Sequence, residues 1–246
     1  DKCTWQLGLI GCGSIAQPVI SALNNGHIAD WQVCAILARR PRRLGEIEVV
    51  NEIDAFIATD PDLIIDAAGP NALLSYGNIA LSHCDVWSIG AAALADEDLE
   101  ARLRDVAFAH GHQLRILPGA MGGLDITAIM ALDRDATFDL SIFRPARHGE
   151  TIGQSYVGTA REACLTHPDE TNIAGALALA VGDWSRVCVT LHVEATDSQR
   201  RIVLQANAKT GSYDAVYIPT LSGGEHPVSQ SILAALSAAH VPITVG

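Results

Sequence analysis

The chain is short of aromatic side chains, of positive charge, of paired cysteines and of long apolar runs, and each shortage removes a class of function. Phe, Trp and Tyr supply 5% of the 246 residues although 49% are hydrophobic, so Ala, Leu, Ile and Val must build the core. That composition suits helices packed on a parallel sheet rather than an aromatic-rich binding surface. Sixteen Lys and Arg against 28 Asp and Glu leave a formal charge of -12. Nucleic-acid binding is disfavoured, because its affinity rests on cations neutralising phosphates.

Cys3, Cys12, Cys34, Cys84, Cys164 and Cys188 form no CxxC pair and are too sparse for a disulfide scaffold. They read as reduced, mostly buried thiols. Asp1-Lys2-Cys3-Thr4 runs straight into a strand pattern, and no apolar stretch approaches the ~18–20 residues that span a bilayer. The expectation is a cytoplasmic protein with no membrane segment. His and Cys lack zinc-ligand spacing, the acids make no calcium loop, and no metal site is expected. There is also no Ser nucleophile elbow and no phosphate loop ending in Gly-Lys-Ser or Gly-Lys-Thr.

What is present is an alternation. Trp5 to Ile10 is a short apolar run ending at Gly11, and Ile15, Val19, Ile20 and Leu23 then recur at helical spacing. Further strands are predicted at Trp31 to Leu37, Leu63 to Ala67, Asp85 to Ile89 and Gln113 to Leu117, with helices over Asn71 to Leu81 and Asp96 to His110. Strand–helix repetition implies parallel strands with right-handed crossovers, so residues 1–117 form a doubly wound α/β unit. After Pro118 the order changes. Leu124 to Leu132 and Glu170 to Val181 read as helices, whereas Val187 to Val193, Arg201 to Ala208 and Ser212 to Ile218 arrive as consecutive strands. Residues 118–226 are therefore expected to be a second, α+β domain with an antiparallel sheet. A last helix over 227–239 could return to either domain.

Gly11-Cys12-Gly13-Ser14-Ile15-Ala16 fits GxGxxA between a strand and a helix, which is the context that gives this otherwise common pattern meaning. Gly11 permits the tight turn, Gly13 lets backbone approach a pyrophosphate, and Ala16 lets helix and strand pack closely. The helix N-terminus, with Ser14 and Ile15 leading into it, offers donors and positive potential. The unit is a Rossmann domain that binds NAD or NADP. At the end of the second strand, where an acid would select NAD by holding the ribose hydroxyls, the chain has Arg39 and Arg40. Either can pair with a 2′-phosphate, so NADP(H) is expected to be accepted. Gly69, Asn71 and Gly90 follow later strands and are candidate cofactor neighbours on the same crevice.

Pro118-Gly119-Ala120-Met121-Gly122-Gly123-Leu124-Asp125, together with Ala68-Gly69, Ser88-Ile89-Gly90-Ala91 and His167-Pro168-Asp169-Glu170-Thr171-Asn172-Ile173-Ala174, resembles the L-aspartate dehydrogenase family over nearly the whole chain. The resemblance implies reductive amination of oxaloacetate with ammonia and NAD(P)H, or the reverse oxidation of aspartate. It also implies a Rossmann domain joined to an α/β catalytic domain that mediates homodimerisation, with the last helix packed back on the first domain. Ala120 and Asn172 would occupy cofactor-contacting positions near the nicotinamide.

Two departures concern the catalytic side. The family's histidine belongs to an Asn-x-His signature, and an ungapped alignment places Arg200-Arg201-Ile202 there, so the histidine position is Ile202. An aliphatic side chain neither transfers a proton nor donates a hydrogen bond. An Asn-Pro-Lys-Thr-Ser-like segment expected before the last helix is replaced by Glu225-His226-Pro227-Val228-Ser229, which removes a Lys and introduces His226 as a catalytic candidate. His148 and His192 are weaker candidates, His192 as a half-buried sheet residue. Arg144 and Arg147 are candidates for holding substrate carboxylates, and Asp125 for the catalytic-domain side. The expected function is an NAD(P)-dependent oxidoreductase acting on a small-molecule carboxylate substrate. The alternatives are a catalytically inactive dinucleotide-binding regulatory relative, or an enzyme for a different small carboxylate.

Overall fold

The computed structural model describes residues 4–40, 43–44, 47–220 and 226–243. The first sheet holds β1 (Trp5–Ile10), β2 (Trp31–Leu37), β3 (Arg43–Leu44), β4 (Ile47–Val50), β5 (Leu63–Asp66), β6 (Asp85–Ser88) and β7 (Leu114–Ile116). Their spatial order is β3-β4-β2-β1-β5-β6-β7. All neighbours are parallel except the short β3, which runs antiparallel to β4. The chain moves outward from β1 through β2 and β4, then crosses back to lay β5 on the other side of β1. This reversal opens a crevice at the carboxyl ends of β1 and β5. The sheet is a Rossmann-like parallel sheet, with β3, β4 and the short helix α2 (Ile53–Ile57) as additions that the sequence reading did not contain.

Helices α1 (Ala16–Asn24), α3 (Pro70–His83) and α4 (Glu97–His110) alternate with these strands. The α4 boundaries have local causes. Asp96 accepts from the Leu99 N–H at 3.0 Å, three acids occupy the first turn, and Gly111 ends the helix in a left-handed conformation (φ 72°).

The second sheet contains β8 (Thr137–Pro145), β9 (Gly153–Thr159), β10 (Val187–Glu194), β11 (Arg201–Ala208) and β12 (Gly211–Tyr217), in the order β12-β11-β8-β10-β9. The expectation of an antiparallel sheet is corrected: the sheet is mixed, with β8 and β10 parallel at its centre. Strands β8 and β9 were absent from the sequence reading. Between β8 and β10 the chain passes through β9, α6 (Ala160–Thr166) and α7 (Asn172–Val181), a crossover long enough to return β10 parallel to β8. The signal for β8 was present in its alternation, since Phe138, Leu140 and Ile142 are all buried on one face. α5 (Leu124–Met130), α6 and α7 lie against this sheet.

The last helix, α8 (Pro227–Ala238), packs on α1. Ile232 and Leu236 are buried in one cluster with Val19, Ile20 and Leu23, and the Trp31 indole N–H donates to the Leu236 carbonyl at 3.2 Å. α7 meets the short 3-10 turn Ala91–Ala95, where Gly175 allows helix and turn backbones to touch.

Cys84 and Cys164 are buried, Cys12 and Cys34 half-buried and Cys188 exposed, all as free thiols, so the expectation of mostly buried cysteines holds for two of these five. Cys3, Pro41 and Arg42 lie outside the described residues.

Candidate active site

The crevice begins at the turn after β1. Gly11 has φ +101°, a conformation that favours glycine, and a Cβ there would approach Ala68 Cβ at 2.9 Å. Gly13 and Ser14 are exposed, and a Cβ on Gly13 would meet nothing within 4 Å, so backbone is open to a ligand at this point. No side chain caps the first turn of α1; the Gln17 N–H is taken by the Gly13 carbonyl at 3.0 Å and Pro18 has none, so the backbone N–H groups open to an anion are those of Ala16 and the turn before it. These features fit a dinucleotide pyrophosphate.

Across the crevice, Gly69 is the N-cap of α3 with φ +96°, and Asn71 stands exposed in that helix's first turn. Gly90 is buried, and a Cβ on it would press within 2.9 Å of the Gly69 carbonyl carbon. Both turns hang on a residue to which the sequence reading assigned no role. The Asp66 carboxylate, 1% exposed, accepts from Ser88 Oγ at 2.7 Å, Ala68 N at 2.9 Å and Gly69 N at 3.2 Å. Ser88 Oγ in turn accepts from the Gly90 N–H at 2.9 Å. Burial pushes the Asp66 carboxyl up to about 6, with the bonds from Ser88, Ala68 and Gly69 opposing the rise. The available signal was an Asp closing an otherwise apolar strand, Leu63-Ile64-Ile65-Asp66.

Arg39 and Arg40 stand exposed just past the carboxyl end of β2, with the chain there held by a bond from Ala38 N to the Val50 carbonyl at 2.8 Å. Their position is compatible with a 2′-phosphate.

Beyond Ile15 the crevice deepens into a cavity of about 250 Å³. Its walls are Ile89 and Leu117 from the first sheet's carboxyl edge, Pro118, Gly119 and Ala120 from the loop that follows, and Asp169, Glu170, Asn172, Ile173 and Ala176 around the start of α7. Arg200 and Ile202 from β11, Pro219, and His226, Pro227 and Val228 from α8 complete it. The fold thus brings Ile15, Ala120, Asn172, Ile202 and His226 together from five separate parts of the chain. A wider groove of about 690 Å³ is lined by Glu97, Arg104, Arg161 and Trp184 among others. Its cations are committed, Arg161 to the Ala95 carbonyl (2.6 Å) and Glu97, Arg104 to Glu100.

His226 is the N-cap of α8, where its Nδ1 accepts the Val228 N–H at 3.2 Å. The proton of the neutral ring therefore sits on Nε2. Partial burial and then the nearby Arg200 guanidinium lower the pKa of this histidine below the ordinary 6.5, so at neutral pH it is an uncharged hydrogen-bond donor. Ser229 Oγ donates to the Ile15 carbonyl at 2.7 Å, tying this helix start to the phosphate-binding turn.

Asn172 is the first residue of α7, not its cap. Its Oδ1 accepts the Ala92 N–H at 3.0 Å, so it tethers α7 to the turn after β6. Arg144 is not available to a substrate. It forks onto Glu150 at 2.6 and 2.9 Å and donates through Nε to Glu170 at 2.9 Å, which holds the Glu150 carboxyl down at about 2 and raises the pKa of Arg144 itself. Arg147 pairs with the other Glu170 oxygen at 3.0 Å. His148 and Asp125 are exposed and are not among the cavity residues, while His192 stacks on Phe143 at 4.3 Å in the second sheet. Among the described residues no cluster of His, Cys, Asp and Glu could hold a metal ion, and no helix is long and apolar enough to cross a membrane.

Residues 11–117 match the family model described as "Homoserine dehydrogenase, NAD binding domain", and residues 147–242 match "Aspartate dehydrogenase, C-terminal". The L-aspartate dehydrogenase of Methanopyrus kandleri is 31% identical over 222 residues, covering 84% of this chain and 84% of its own. L-aspartate dehydrogenase 2 of Bordetella bronchiseptica is 29% identical over 99% of this chain and 100% of its own. Among solved structures, aspartate dehydrogenase from Thermotoga maritima superposes with a TM-score of 0.81 at 20% identity, over 98% of this chain and 99% of that one. Dipicolinate-bound dihydrodipicolinate reductase from Paenisporosarcina sp. TG-14 does so with a TM-score of 0.58 at 9% identity, over 95% and 93%. Both superpositions are likenesses of fold.

Proposed function

Because the chain belongs to the L-aspartate dehydrogenase family, whose members are nicotinamide-dependent dehydrogenases acting on an amino donor, we propose that its cavity interconverts a small 2-oxo acid plus ammonia with the corresponding 2-amino acid. Aspartate is the amino acid that the relatives' names carry, and oxaloacetate is its 2-oxo counterpart. The observation that carries this reading is the continuity of the dinucleotide turn with the cavity: Ile15 belongs to one and lines the other. Ammonia replaces the keto oxygen to give an imine with loss of water. When bound, the reduced nicotinamide supplies the hydride that turns the C=N carbon into an amine carbon, and the nitrogen takes up a proton.

The chain's own contribution is positioning and dryness. Gly11, Gly13, Ser14 and Ile15 would hold the pyrophosphate, Gly69, Asn71 and Gly90 would border the dinucleotide, and Ala120 and Asn172 would border the nicotinamide. Asp66 shapes two of these turns from below through Ala68, Gly69, Ser88 and Gly90. Ile89, Leu117, Ile173 and Ile202 exclude water around the reacting carbon. Ile202 cannot move a proton, so the hydrogen bond to the substrate's keto or imine group falls to Nε2–H of His226, the neutral donor on the α8 wall. Arg39 and Arg40 would pair with a 2′-phosphate, so NADPH is expected to serve with a lower KM than NADH.

The test is nicotinamide oxidation followed by absorbance with oxaloacetate or a monocarboxylic 2-oxo acid, with and without ammonia, and with each cofactor in turn. Ammonia-dependent turnover is the expected result. Intact cofactor binding with no turnover on any 2-oxo acid would overturn the reaction and favour a non-catalytic dinucleotide-binding role.

A further inference from the structure

The cations near the cavity are unequally committed. Arg144 and Arg147 are spent on Glu150 and Glu170. Arg201 is bidentate to Glu194, at 2.7 Å for each bond, and lies 3.7 Å over the Phe143 ring. Arg200 lines the cavity and has no hydrogen-bond or ion-pair partner among the described residues. A half-buried guanidinium in that condition has lost water without gaining a partner, and an arriving carboxylate relieves it through two parallel charge-assisted bonds.

The remaining wall is unfavourable to a second carboxylate. Besides the uncharged Asn172 and His226, the described residues there are mainly aliphatic, Ile173, Ile202 and Val228 among them, with two acids, Asp169 and Glu170, beside α7.

Resting on the dehydrogenase reading above, we infer that Arg200 anchors the carboxylate of the 2-oxo or 2-amino acid, and that the site selects substrates with one carboxylate and a short apolar side chain over dicarboxylates. The fork fixes the plane of the carboxylate and with it the neighbouring carbon at which hydride transfer occurs. The apolar side chain then lies against Ile202 and its neighbours, where a second charge would be stripped of water with no cation to meet it.

Calorimetric titration of the protein saturated with NADP⁺, or with NAD⁺ if that binds better, tests this with 2-oxobutyrate and oxaloacetate as probes. Wild type is expected to bind 2-oxobutyrate at least about tenfold more tightly than oxaloacetate. Arg200→Met should weaken 2-oxobutyrate roughly 10- to 100-fold with cofactor affinity and melting temperature unchanged, and Arg200→Lys should recover part of the loss. Equal binding of 2-oxobutyrate by wild type and Arg200→Met overturns the anchor, as does no binding by wild type. Oxaloacetate bound as tightly as 2-oxobutyrate overturns the selectivity. Ammonia-dependent turnover in the same samples tests the reaction separately: Arg200-dependent binding without turnover would sink the dehydrogenase reading and leave the anchor standing.

Discussion

At residue scale, Asp66 shows how a buried charge is used to shape backbone. Its ordinary value is 3.8 and burial raises it to about 6 in the folded protein. Between about pH 4 and 6 the folded state therefore holds more proton than the unfolded one, and this group's contribution makes stability fall as pH rises through that window. Above it the penalty is constant, roughly 3 kcal/mol for a shift of about two pH units. Asp66→Asn keeps an acceptor for Ala68 and Gly69 but does not titrate. Relative to wild type, the variant is expected to gain about 2–3 kcal/mol between pH 4 and pH 6, read from urea denaturation across that range. Parallel profiles for the two proteins would mean that Asp66 does not titrate there. Arg200 is the opposite case, a charge left open to the cavity instead of being satisfied from within.

At element scale, α8 joins the last stretch of chain to the first turn. Ile232 is fully buried against the α1 cluster, Ser229 holds the Ile15 carbonyl, and His226 caps the helix at the cavity wall. Ile232→Ala is expected to destabilise the protein by about 2–5 kcal/mol, since removing buried methyl groups leaves a void as well as losing transfer energy. Because the same helix borders the crevice, dinucleotide affinity measured by fluorescence should fall as well. Unchanged affinity in the folded variant would reduce α8 to a strap with no influence on the turn. The helix itself was legible, since Pro227 opens it and Ile232, Leu233 and Leu236 recur at helical spacing. Its docking on α1 was not a local property.

At the scale of the whole molecule, the cavity exists because α7 lies directly on the turn after β6. A Cβ on Gly175 would meet backbone atoms of Ala91 and Ala92 at 2.8 to 3.0 Å. In an ordinary helix interior Gly→Ala stabilises by roughly 0.5–1 kcal/mol. Here backbone cannot yield as a flexible side chain would, so Gly175→Ala is expected to destabilise by about 1–3 kcal/mol. It should also raise the KM for the 2-oxo acid by shifting Asn172 and Ile173. Denaturant unfolding and steady-state kinetics check the two effects, and a stabilised variant would show that the contact has slack.

The parallel sheet, its helices and the phosphate-binding turn follow from short-range features of the sequence. These are four- to seven-residue apolar runs, glycines at Gly11 and Gly13, an Asp cap before α4 and a closing Gly111. Such signals act within a turn or a strand and need no partner elsewhere to be read. That residue 202 is Ile and residue 226 is His was equally legible, because identity at a position is a sequence fact. Tertiary structure decided what these residues mean together. It made the second sheet mixed, since parallel pairing of β8 and β10 depends on the crossover between them. It committed Arg144 to acids 6 and 26 residues away and left Arg200 open while its neighbour Arg201 is bound. Ion pairing and burial depend on distances across the fold, and no local pattern in the sequence encodes which of several arginines will be left without a partner.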